Sequence, residues 1–99
     1  MHRPQADGIP PTELLDTTHD FPCEFTFKVI GKDERGFAAR VVAAIRESVC
    51  LATDPPFRVR RTSSGRHMCV TVEPRVPHAD AVLEAYAEIK RIDGVVMVL

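Results

Sequence analysis

Residues 25–41 read FTFKVIGKDERGFAARV, and the spacing of apolar residues changes period inside this stretch. Phe25, Phe27 and Val29 alternate with Thr26 and Lys28, which places them on one face of a strand that the pattern starts at Cys23. From Phe37 the interval becomes helical: Phe37, Val41, Ala44, Ile45 and Ser48, flanked by Ala38, Val42 and Val49, fall on one arc. Arg35, Arg40, Arg46 and Glu47 lie off that arc. The glycine-bounded run Gly31 to Gly36 joins the two, with Asp33 expected as the helix N-cap and Glu34 near the positive end of the helix dipole. A strand followed at once by an amphipathic helix is the first half of a split β-α-β unit.

Toward the carboxyl end, Asp54-Pro55-Pro56 stops the helix, because proline lacks a donor and pushes its predecessor out of helical geometry. Phe57 and Val59 then alternate with Arg58 and Arg60, Thr62 to Arg66 supply turn residues, and Met68, Val70 and Val72 alternate with His67, Cys69 and Thr71. That is a hairpin. Pro74 and Pro77 bracket a loop, after which Ala79, Val82, Leu83, Tyr86 and Ile89 give a second amphipathic helix opposite Asp80, Glu84, Glu88 and Arg91. Gly94 suits the helix C-terminal cap region, and Val95 to Leu99 form an uncharged, β-branched final strand. The order βαββαβ predicts an α+β fold, a ferredoxin-like split β-α-β sandwich with a four-stranded antiparallel sheet and two helices on one face. Right-handed crossovers order the strands four, one, three, two, so strands two and four are edges. Parity sends Phe25, Phe27 and Phe57 inward.

A chain of 99 residues with 44% apolar content supports one domain, assigned to residues 21–99. Residues 1–20, with Pro4, Gly8, Pro10, Pro11 and scattered acids, read as a flexible tail whose one apolar point, Leu14 and Leu15, can dock as a short helical turn. The tail holds one Arg against four acids, leaving twelve bases against ten in the domain, far below the basic excess of a dedicated nucleic-acid binder. Cys23, Cys50 and Cys69 are odd in number and form no C-x-x-C pair; with no apolar signal or spanning run, a reducing, cytoplasmic setting and no membrane association are expected.

No spacing of His, Cys, Ser, Asp or Glu matches a catalytic or metal pattern, so no catalytic residue, metal or cofactor is assigned. His67 and Cys69 share a strand face but lack the further ligands that a metal centre needs, His2 and His19 lying in the tail and His78 at a helix start. Ser63 and Ser64 read as turn formers and Cys50 as a small buried residue. Arg58, Arg60, Arg61 and Arg66 form a basic patch whose simplest role is to discourage pairing at edge strand two. Strand four carries no charge, so Val95, Val96, Met97, Val98 and Leu99 form the candidate interaction edge. The loop from Gly31 to Arg40 is loosely similar to that of acylphosphatases. Their chemistry uses an asparagine, and this chain has none.

Asp33, Gly36 and Phe37 resemble more closely the start of the first helix in ACT regulatory domains. A longer resemblance accompanies them. Glu13-Leu14-Leu15, Phe21-Pro22, Phe25 to Gly31, Ser63-Ser64-Gly65, Ile92-Asp93 and Met97-Val98-Leu99 look like the YbeD-like family of small bacterial proteins of unknown function. The resemblance implies an ACT-like ferredoxin fold with a regulatory role near lipoate metabolism, and it supplies no catalytic residues. On ACT precedent the ligand candidates are Asp33, Arg35 and Gly36. Three roles follow. The first is a non-enzymatic regulatory or protein-interaction module, self-associating through the sheet edge as a homodimer or pairing with another protein. The second is sensing of an amino acid or lipoate-related small molecule. The third, single-stranded nucleic-acid binding on the open sheet face through Lys28, Arg58, Arg60 and Arg66, is disfavoured because base stacking needs exposed aromatic rings.

Overall fold

A computed structural model describes Leu15 and residues 19–99. The element order is β1 (Cys23–Glu24), β2 (Phe27–Lys32), α1 (Phe37–Val49), β3 (Phe57–Arg61), β4 (His67–Val72), β5 (Arg75–Val76), α2 (Ala79–Lys90) and β6 (Val95–Val98). Four strands form an antiparallel sheet in the order β3-β4-β2-β6, the predicted arrangement with the edges at β3 and β6. Among the described residues no helix is long and apolar enough to cross a membrane.

One face of the sheet makes the core. Phe27 and Val29 on β2 and Val70 and Val72 on β4 point at Phe37, Val41 and Ile45 of α1 and at Val82 and Ile89 of α2, all without measurable exposure. Each such side chain contributes roughly 1.5–3 kcal/mol when removed from water. The cluster also takes in Leu15, upstream of residue 21. Leu14 lies outside the described residues. Phe25, Phe27 and Tyr86 meet edge to face or tilted at 5.0–6.3 Å, with the His19 ring 5.1 Å from Phe25.

Several local details differ from the sequence expectation. The strand expected from Cys23 to Val29 divides, because β1 leaves the main sheet to pair with β5, a short strand inside the segment between Pro74 and Pro77 whose prolines predict a loop. α1 begins at Phe37 and not at Asp33; its N-cap is Gly36, with φ of 81°, and no side chain caps it. The Asp33 carboxylate instead accepts a hydrogen bond from Arg61 Nε at 2.7 Å. Cys50 is exposed, not buried, because it adopts the left-handed conformation that ends α1 and turns its backbone N–H to the Arg46 and Glu47 carbonyls. α2 ends at Lys90, so Gly94, with φ of 95°, serves the turn into β6 and not the helix cap. His78 does start α2, its Nδ1 accepting from the Ala81 N–H at 3.3 Å.

Phe57 is the largest departure. It pairs with Val72 and so shares the core-facing side of the sheet, yet it is 48% exposed, and Val59 beside it is 40% exposed. The contacts explain this: α1 packs on β2 and β4 and α2 on β6, so neither helix covers β3.

Candidate functional site

Three surfaces hold the residues singled out by sequence, and β2 passes through or beside all of them. At its carboxyl end, the Phe37 ring occupies the space that a Cβ on Gly31 would fill, which brings the start of α1 tight against the strand. The Asp33 N–H donates to the Arg66 carbonyl at 3.0 Å, tying the same junction to the β3–β4 turn. Asp33, with a side chain only 15% exposed, is therefore held by Arg61 and by the turn, while Arg35 and Gly36 face solvent. The adjoining concavity, about 500 Å³, is lined by Glu34, Arg40, Arg91, Ile92 and Asp93. Two cations and two carboxylates thus face one shallow depression, with the Arg40 guanidinium 6.0 Å over the Phe37 ring. The three residues expected to bind a ligand border this depression in sequence without lining it.

The basic patch divides. Arg58 and Arg60 lie opposite Thr71 and Cys69 on the open face of the sheet, whereas Arg61 lies opposite Met68 on the helix side and reaches Asp33. Arg58 meets Glu73 at 2.9 Å, and Arg66 sits exposed in the turn beside Gly65. Arg61 and Asp33, which the sequence assigns to separate sites, are brought together by the pairing of the strands.

β6 forms the third surface. Its register with β2 pairs Val98 with Val29 and Met97 with Ile30, then jumps so that Gly31 faces Val95. Val96 is the extra residue of a β-bulge. Val95 and Val98 pack against the core, while Val96 and Met97 are 56% and 50% exposed and Leu99 is 59% exposed. Leu99 exchanges both backbone hydrogen bonds with Lys28, so alternation in an antiparallel ladder turns the N–H and C=O of Val98 outward.

Among the described residues, no three His, Cys, Asp or Glu side chains gather as a metal site, and the three cysteines are free thiols. Tyr86 is the titratable group displaced from its ordinary range: burial in the aromatic cluster pushes its hydroxyl upward. A further concavity, missed in the sequence, runs between the outer faces of α1 and α2 over Ala43, Ala44 and Ala87, rimmed by Arg40, Glu47, Glu84 and Glu88. Alanine spacing on two helices is an ordinary packing pattern and gave no signal for it.

The model of the family described as protein of unknown function DUF493 matches residues 16–99. The chain belongs to that family. DUF493 relatives named UPF0250 protein include one from Shewanella amazonensis, 34% identical over an alignment of 90 residues that covers 87% of this chain and all of the relative. Another, from Haemophilus ducreyi, is 34% identical over 97% of this chain and 99% of its own length, and one from Pasteurella multocida is 33% identical over 92% and 100%. These DUF493 relatives are the YbeD-like small bacterial proteins that the sequence resembles. The solution structure of protein HP0495 from H. pylori aligns with a TM-score of 0.59 at 16% identity, covering all of this chain and 98% of that one, a likeness of fold.

Proposed function

We propose that this DUF493 chain is a non-enzymatic protein-interaction module of regulatory type that self-associates through β6. The observation carrying the reading is the uncharged edge on which Val96, Met97 and Leu99 stand exposed beside the outward N–H and C=O of Val98. Such an edge accepts another strand, and a second copy presenting the same edge can satisfy it by two-fold antiparallel pairing. Light scattering across a concentration series tests this, with the expected mass rising from monomer toward dimer. Met97→Lys places a charge on the edge, and Val98→Pro removes an outward donor without breaking the ladder to β2. Both variants hold the chain monomeric. A mass that stays monomeric throughout for the unsubstituted protein defeats the proposal.

The depression lined by Glu34, Arg40, Arg91, Ile92 and Asp93 supports a second reading, sensing of a small molecule. Its paired signs suit a zwitterion such as an amino acid, and a lipoate-related acid would use the two arginines alone. A thermal-shift screen of amino acids and lipoyl compounds separates these ligands, and a melting temperature unmoved by all of them ends this reading.

A further inference from the structure

The open face of the sheet segregates charge in a chain whose formal net charge is only -1. Cross-strand register arranges it in rows: Leu99, Lys28, Thr71 and Arg58, then Met97, Ile30, Cys69 and Arg60, then Lys32 beside His67. Four permanent cations thus stand on this face. Only Arg58 among them meets a carboxylate, that of Glu73; Lys28, Lys32 and Arg60 have no carboxylate partner among the described residues. The outward helix residues, in contrast, mix signs, with Arg40, Arg46 and Glu47 on α1 and Asp80, Glu84 and Glu88 on α2.

The middle row runs from exposed Met97 across half-buried Ile30 and Cys69 to Arg60, so an aliphatic and thiol strip is flanked by cations. At roughly 4.8 Å between strands, the four-strand row spans about 14 Å. Thr71, 6% exposed, lies on this face between Lys28 and Arg58, so the surface there is filled by its neighbours and is not a pit. We infer that this face docks an acidic polypeptide segment carrying alternate apolar side chains, its carboxylates meeting Lys28, Lys32 and Arg60 and its apolar groups lying along Ile30, Cys69 and Met97. Charge complementarity selects an acidic occupant. The strip favours a polypeptide over nucleic acid, since Phe25, Phe27 and Tyr86 are buried in the core, Phe57 lies on the helix side, and among the described sheet residues the half-buried His67 imidazole is the one ring on the open face, too little for a stacking platform. The inference goes beyond self-association and does not need it, because Lys28 lies on the inner strand β2 and Arg60 on β3, the edge opposite β6.

The test is a fluorescence-anisotropy titration of the full chain against a labelled short peptide of alternating glutamate and leucine, in buffer of low ionic strength. Saturable binding is expected, weakening about tenfold or more when serine replaces leucine, when lysine replaces glutamate, or in Lys28→Glu/Arg60→Glu. Amide shifts on titration should centre on Lys28, Ile30, Cys69 and Arg60. Should the charge-reversed protein fail its circular-dichroism check, Lys28→Gln/Arg60→Gln replaces it. The inference is overturned by absence of saturable binding, by unchanged affinity in the folded variant, by amide shifts confined to the helix layer, or by oligouridylate binding more tightly than the peptide. The mass measured by light scattering is a separate readout, so loss of dimerisation and loss of peptide binding are told apart.

Discussion

The two edges of one sheet solve the same exposure problem in different ways. β3 has every residue exposed and no helix over it, and it carries Arg58, Arg60 and Arg61, two of which are tied to carboxylates at 2.7 and 2.9 Å. β6 has no charged side chain and is bulged at Val96, with its inner residues half-buried by α2. Charge at an edge obstructs pairing with another chain, whereas an apolar edge invites it. On the proposed reading interaction belongs to β6 and protection to β3, although Phe57 and Val59 leave β3 with exposed apolar area of its own.

The two edges come apart most severely when Phe37 is lost. Its ring lies on Gly31, where β2 meets the bulged end of β6, so Phe37→Ala is expected to cost about 3–5 kcal/mol in denaturant unfolding, with amide protection lost at β6 before the β3–β4 hairpin. Converting β3 toward the character of β6 is the next test. Arg58→Val/Arg60→Val should give a concentration-dependent oligomer by light scattering, while a protein that stays at its original mass shows that charge is not what guards β3. Arg61→Ala has a smaller effect, about 1 kcal/mol or less, because its side chain is 68% exposed; chemical denaturation reads it. The smallest effect is confined to alkaline pH. The Tyr86 hydroxyl has its pKa raised in the folded state, so its contribution is intact below about pH 10 and is lost as pH rises through the folded value. Tyr86→Phe should flatten that alkaline decline in stability, and an unchanged pH profile would show that burial of Tyr86 does not drive it.

Much of this architecture was legible in the sequence because period and parity report directly on faces. The switch between Val29 and Phe37, the hairpin around Gly65 and the helix start at His78 follow from side-chain spacing and turn chemistry. Burial is a different matter. Phe57 has the expected parity but remains exposed, since parity says which side a residue faces and nothing about how far the opposing layer extends. The bulge at Val96 left no glycine or proline to announce it, and five apolar residues in succession look alike whichever way they point. Asp33 had the residue type and position of an N-cap, and only the three-dimensional approach of Arg61, distant in sequence, reveals what holds it. The candidate ligand depression was hidden for a related reason: Glu34 and Arg40 come from one end of the chain and Arg91 and Asp93 from the other.

Gly31 on the inner face of β2 has, in effect, borrowed its side chain from α1, since the Phe37 ring stands where its own Cβ would project. The constraint between the two positions runs one way. A side chain at the place of Gly31 requires something smaller than phenylalanine at the place of Phe37, whereas the reverse change opens a cavity and leaves Gly31 free to stay.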